Sequence, residues 1–333
     1  MKILLTIFLI ILSLQFLAQN PRPEDFGFRH LQMMYKGDSV DILLKSKAGE
    51  EFIRKPLFLF CQGSLPQPLI KTDGNQAYSV FPFNTDSLVK DFHLVIISKP
   101  NIPIIADVNS LGTNFVYLDP ATGKFPRAYS ELNLLDYYVD RDEAVIGFLL
   151  KLPFVANTAL TVAGHSEGST IAAKLAMKSK RVTHLIYASG CPVGRMLSIV
   201  ERDRSMEEDT DSTRFAESDF DYWESIAGNK ENMDDSYGDT FKATYDFSYP
   251  PINYLRELKI PVLVCYGTKD WSAPFNDYLR FEMIRQKKKN FTFKAYIGLE
   301  HNFFPLDKQG RANQEILNWD KVAADWQEWI RKN

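Results

Sequence analysis

Six short apolar runs, separated by stretches with helical periodicity, set the limits on what this 333-residue chain can fold into. They are Pro56 to Phe60, His93 to Ser98, Ala159 to Ala163, Thr183 to Ala188, Pro261 to Tyr266 and Phe291 to Ile297. Most show little alternation between apolar and polar residues. A strand that is apolar on successive residues has both faces buried, which occurs where helices cover both sides of a mostly parallel sheet. The intervening helices have the matching pattern. Leu132 to Leu152, Ser169 to Met177, Pro274 to Ile284 and Trp319 to Ile330 each carry an apolar stripe with charges on the other side. An antiparallel hairpin is expected ahead of them, from His30 to Tyr35 and Val40 to Leu44, joined by the turn residues Lys36 to Ser39. The fold class is therefore α/β.

The amino terminus stands apart. Met1 and Lys2 lead into an apolar run from Ile3 to Leu17 that ends at Ala18, the layout of a secretory signal. Residues 1–18 are thus expected to be a signal peptide and residues 19–333 a single exported catalytic domain, periplasmic or secreted. An uncleaved N-terminal anchor is the alternative; with cleavage, no stable membrane insertion is expected. A formal net charge of −3 carries no nucleic-acid footprint. The three cysteines, Cys61, Cys191 and Cys265, sit in or beside strand-like runs. They read as buried free thiols, and no Cys/His spacing matches a metal site.

One stretch breaks the alternation. Residues 196–255 lie between two strands, contain no convincing strand, and from Glu201 to Asp246 carry about three acidic residues for each basic one. Aromatic residues are interleaved throughout, among them Trp223 and Tyr237. Disordered acidic segments are usually poor in aromatics, so a helical cap over the sheet is expected.

The chemistry centres on Gly164-His165-Ser166-Glu167-Gly168, which follows an apolar run and opens a helix. A serine on such a tight strand-to-helix turn is held exposed at the sheet edge, and its flanks must be small because backbone crowds them. A serine hydroxyl needs a histidine base oriented by a carboxylate. In a parallel sheet such groups gather beyond the carboxyl ends of the strands. His93 and His184 begin strands, His30 lies in the hairpin, and His165 sits inside the turn, which leaves His301 after the last strand. Asp270 is chosen in the same way: Gly267 to Asp270 follow the strand Pro261 to Tyr266. For the oxyanion, one N–H is expected from Glu167 and a second from Ser64, after the glycine turn at Gly63.

With these residues the chain resembles the α/β-hydrolase superfamily, most nearly its dienelactone-hydrolase-like and prolyl-oligopeptidase-like catalytic domains. The order of nucleophile, acid and histidine matches, and the insertion falls where family members often carry a cap. The resemblance implies an eight-stranded, mostly parallel sheet with helices on both faces and the roles of nucleophile, acid and base on Ser166, Asp270 and His301. It implies no cofactor and no metal. The expected reaction is hydrolysis of a carboxylic ester through an acyl-enzyme, with a short peptide or aminoacyl amide as the rival substrate and a non-catalytic binding protein as the rival class. Trp223, Tyr237 and Trp271 are the candidate substrate contacts. The acidic excess of the insertion disfavours strongly anionic substrates.

Overall fold

The computed structural model describes residues 21–74, 76–209, 213–234 and 238–333. The expected signal peptide lies outside the described residues. Eight strands form one sheet: β1 (Arg29–Tyr35), β2 (Asp38–Lys45), β3 (Lys55–Cys61), β4 (His93–Ile97), β5 (Val155–His165), β6 (His184–Ala188), β7 (Val262–Gly267) and β8 (Phe291–Tyr296). Their order across the sheet is β1-β2-β4-β3-β5-β6-β7-β8. β1 and β2 form the expected antiparallel hairpin, turned at Lys36-Gly37 with both residues at positive φ. β2 pairs antiparallel with β4, and every pairing from β4 to β8 is parallel.

The parallel strands sit between two apolar layers. On β3, Leu57 and Leu59 point to one layer while Phe58 and Phe60 point to the other. The first is closed by α2 (Leu135–Leu149) and α3 (Glu167–Lys178), the second by α9 (Trp319–Lys332). Trp326 of α9 is fully buried, stacks on Phe58, and donates its indole N–H to the Cys265 sulfur at 3.3 Å. That sulfur has no disulfide partner, nor do Cys61 and Cys191. Two of the three thiols are buried; Cys191 is only half-buried.

Two local expectations need correction. The single helix read from Leu132 to Leu152 is broken into α1 (Arg127–Leu132) and α2, with non-helical backbone at Asn133. The break has a tertiary cause: Asn133 donates to Asp239 at 2.7 Å and accepts the Tyr138 hydroxyl at 2.9 Å. A small sheet of Ile70–Thr72, Ala77–Ser79 and Ile105–Asp107 was also not anticipated, because three-residue strands are too short to show periodicity.

Between β6 and β7 the described residues contain no strand. They form α4 (Arg195–Arg204), α5 (Phe215–Gly228), α6 (Phe241–Phe247) and α7 (Ile252–Leu255). After β7 the chain enters α8 (Ala273–Arg285) and crosses to β8. Among the described residues, no helix is long and apolar enough to cross a membrane.

Candidate active site

Ser166 joins β5 to α3 with φ 56° and ψ −126°, a conformation that costs about 1–3 kcal/mol for a non-glycine residue. The turn is held by its N–H, which donates to Ala188 O of β6 at 3.0 Å. The flanking glycines are obligatory on steric grounds. A Cβ at Gly164 would lie 2.1 Å from the Gly168 carbonyl oxygen, and one at Gly168 would lie 2.1 Å from that of Cys61.

The three residues chosen by their places along the chain meet in space. His301 Nε2 lies 2.9 Å from Ser166 Oγ, and its Nδ1 lies 3.0 Å from Asp270 Oδ2. The Asp270 side chain has no solvent exposure, and its second oxygen accepts the Ser272 N–H at 2.9 Å. That bond fixes the carboxylate, which in turn orients the imidazole with Nε2 toward the serine. The Trp271 indole lies flat on the His301 ring, with centroids 4.6 Å apart and planes at 20°.

The other four histidines have structural partners elsewhere. His93 bonds Ser46 and the Ile53 carbonyl, His184 bonds Thr183, and His30 pairs with Asp41. His165 turns away from the serine hydroxyl, packs on Trp319 and Phe303, and donates through Nε2 to the main-chain carbonyl of His301 at 2.9 Å. Burial, helped by the neighbouring His301, pushes its pKa down to about 3, so the ring is neutral.

A cavity of about 310 Å³ opens over Ser166 and His301. Ser64 and Glu167 both line it, and a Cβ on Gly63 would stand 3.7 Å from that of Ser166, so the Gln62-Gly63-Ser64 turn passes directly beside the nucleophile. Glu167 is the first residue of α3, where helix N–H groups are free of intrahelical partners and the dipole is positive. Negative charge developing near Ser166 is favoured there.

The insertion supplies much of the cavity wall, including Ser198, Arg202 and Tyr222, and Arg195 at the start of α4 adjoins it. Of the candidate substrate contacts, Trp271 lines the cavity. Trp223 does not: it stacks on Tyr245 at 5.7 Å, and its neighbour Tyr222 takes the lining position. Tyr237 lies outside the described residues.

The sequence reading missed a buried set of charges beneath the cavity. Glu167 is held between Lys99, 3.4 Å away, and Arg195, which also reaches Asp239 at 2.6 Å. Burial drives the Lys99 ammonium down to about 7, against the pull of Asp239 in the opposite direction. Lys99 lies two residues past the end of β4, so the rule that singled out Asp270 would also have marked it. Arg195 and Asp239 are paired with acid and base partners, and the net acidity of the insertion is therefore not the charge of the cavity wall. Among the described residues no group of three or more His, Cys, Asp or Glu side chains is arranged to hold a metal ion.

Comparison with known proteins agrees with this architecture. Residues 135–294 match the family described as BAAT / Acyl-CoA thioester hydrolase C terminal, a segment that takes in Ser166 and Asp270 and stops short of His301. No curated protein matches the sequence. Among solved structures, Est1E from Butyrivibrio proteoclasticus is 15% identical, with 91% of this chain and 98% of that one covered and a TM-score of 0.52. A second Est1E structure has ferulic acid bound and gives a TM-score of 0.54 at the same identity and coverage. A putative dipeptidyl aminopeptidase IV from Bacteroides ovatus is 10% identical, covering 92% of this chain and 36% of its own, at a TM-score of 0.55. Porphyromonas gingivalis dipeptidyl peptidase 4 is 11% identical, covering 92% and 35%, at a TM-score of 0.52. This chain thus spans little more than a third of either peptidase's length. With its strand order and these likenesses taken together, the chain has the α/β-hydrolase superfamily fold.

Proposed function

We propose that the protein is an exported serine hydrolase that cleaves a carboxylic ester through an acyl-enzyme. The observation that carries this reading is the single imidazole set between the Ser166 hydroxyl and the buried Asp270 carboxylate, at 2.9 Å and 3.0 Å. In the first step His301 Nε2 takes the hydroxyl proton as Oγ attacks the ester carbonyl. The N–H groups of Ser64 and Glu167 hold the oxyanion, and Asp270 stabilises the imidazolium. His301 then returns that proton to the departing alcohol oxygen. In the second step a water gives its proton to Nε2, attacks the acyl carbon and releases the carboxylic acid, restoring Ser166.

An ester is preferred over a peptide because the solved relative of matching length, Est1E, is the one whose structure holds ferulic acid, an aromatic carboxylic acid of the kind ester cleavage leaves behind. The peptidases match over only a third of their length. A short peptide or aminoacyl amide remains the second reading, since one scaffold hosts both chemistries. In this reading residues 196–255 act as a cap that selects the substrate.

A panel of p-nitrophenyl esters and aminoacyl amides, run on wild type and on Ser166→Ala, tests the proposal. Ester turnover that disappears in the variant supports it. Turnover that survives without Ser166 defeats it, and amide turnover exceeding ester turnover replaces the first reading with the second.

A further inference from the structure

Helix α4 turns one stripe toward the cavity: Arg195, Ser198, Ile199 and Arg202 follow one another at helical spacing, and all four line it. Two members of that stripe grip opposite sides of the reaction centre. Arg195 pairs with Glu167, the residue whose N–H is proposed above to hold the oxyanion, and is itself braced by Asp239 at 2.6 Å. The other Glu167 oxygen lies 3.4 Å from Lys99 Nζ. With 4% of the Glu167 side chain and 2% of the Lys99 side chain exposed, water competes little for these bonds. One turn further along, Ser198 Oγ accepts the Trp271 indole N–H at 2.9 Å, and that indole is the ring lying flat on His301.

We propose that α4 is a clamp on the reaction centre: Arg195 positions the Glu167 N–H, and Ser198, acting through Trp271, sets the plane of the His301 ring. The inference rests on the serine-hydrolase reading above. It assigns the insertion a part in the chemical step, in addition to substrate choice. The physical need is plain on both sides. An oxyanion donor acts through preorganisation, so a donor free to shift loses its advantage. The imidazole must keep one nitrogen on the serine and the other on the carboxylate, and a stacked indole resists the tilt that would break either bond. The same ring face attracts the imidazolium that forms during the reaction. Arg195, Ser198 and Trp271 are positioning residues; the bonds are made and broken by Ser166 and His301.

The test compares Ser198→Ala, Trp271→Phe, Arg195→Met and Arg195→Lys with wild type. Steady-state kcat and KM are measured on p-nitrophenyl esters of three acyl lengths, together with the rate at which a fluorophosphonate labels Ser166. Ser198→Ala removes one hydrogen bond of about 1 kcal/mol and is expected to lower kcat roughly five- to tenfold. The loss should be the same for all three esters, with KM changed by less than about twofold and labelling slowed in parallel. Trp271→Phe keeps a ring but loses the N–H, and should behave like Ser198→Ala. Arg195→Met should lose more, and Arg195→Lys should recover part of it. A role confined to the cavity wall predicts changes in KM that depend on acyl length, and that result overturns the clamp. So does a kcat and labelling rate left at wild-type values in Ser198→Ala and Trp271→Phe, two variants mild enough to fold even if Arg195→Met does not. Failure of wild type itself to label at Ser166 overturns the hydrolase reading and the clamp with it; a labelled wild type with unaffected variants overturns the clamp alone.

Discussion

His165 holds the loop that carries His301: its Nε2–H donates to the His301 carbonyl at 2.9 Å, joining two residues 136 positions apart in the chain. The ring is enclosed by His301, Phe303 and Trp319. In that enclosure it must stay neutral, which ties the position of His301 to the protonation state of a second histidine.

That tie has a defined pH dependence. The folded pKa of His165, about 3, lies below the ordinary value of 6.5. Between those two values the unfolded chain binds a proton that the folded chain refuses, so stability is lost as pH falls from about 6.5 toward 3. The full loss is on the order of several kcal/mol. His165→Gln keeps a donor for the His301 carbonyl and has nothing to titrate. Urea unfolding at pH 8, 6, 5 and 4 should therefore show wild type losing stability more steeply than His165→Gln across that window. Parallel curves would mean that His165 is not the group responsible.

Ser166 poses the opposite problem, since its strain is retained whatever its chemistry. Both Ser166→Ala and Ser166→Gly should abolish ester turnover, because the triad acts as a unit. They should differ in stability. Alanine inherits the φ of 56°, whereas glycine relaxes it and gives back part of the gain as chain entropy, which leaves Ser166→Gly more stable than Ser166→Ala by about 1 kcal/mol. Thermal melts of the two inactive proteins check this directly. Equal melting temperatures would show that the turn is not strained.

Asp270 and His301 should separate by degree. His301→Ala removes the base and should cost as much as losing the serine. Asp270→Asn leaves the imidazole in place but presents an amide where Nδ1–H needs an acceptor, and a loss of roughly 10³- to 10⁴-fold in kcat is expected. Because the Asp270 side chain is fully buried and also accepts the Ser272 N–H, the asparagine variant should fold. A kcat for Asp270→Asn within about tenfold of wild type would remove Asp270 from the triad.

The parts of this architecture that were legible in the sequence share a physical cause. Buried strands are apolar on both faces, so β3 to β7 stand out as runs, whereas β8 at the sheet edge is only partly buried; Ser166, Asp270 and His301 fall just beyond strand ends where a parallel sheet gathers its chemistry. The small-residue rule at Gly164 and Gly168 could be read from the motif, and the 2.1 Å approaches give its reason. What was hidden depends on partners distant in sequence. Glu167 is held by Lys99, 68 positions earlier, and Asn133 breaks a helix to reach Asp239, 106 positions later. No local pattern records such pairings. Composition misled in one respect as well: the insertion is acidic overall, yet the face of α4 that meets the cavity carries Arg195 and Arg202.

On the proposed reading the insertion selects the substrate, and helical phase indicates which of its aromatics would take part. Successive residues on a helix point about 100° apart, so two adjacent aromatics on α5 take different directions, and only Tyr222 lines the cavity. Its ring is edge-on to Phe241, while Trp223 stacks on Tyr245 at an interplanar angle of 12°. The two should therefore fail differently when truncated. Tyr222→Ala enlarges the cavity beside the acyl or alcohol group and should change relative kcat/KM across a series of esters, while also losing its edge-on contact with Phe241 of α6. Trp223→Ala removes an aromatic contact that ties α5 to α6, and should lower the stability of the insertion by about 1–3 kcal/mol while leaving the order of ester preference intact. Hydrogen exchange over residues 215–247 would register that loosening, and an ester panel would register the altered selectivity. Selectivity that followed Trp223 and was unchanged in Tyr222→Ala would show that α5 sits on the sheet in a different rotation.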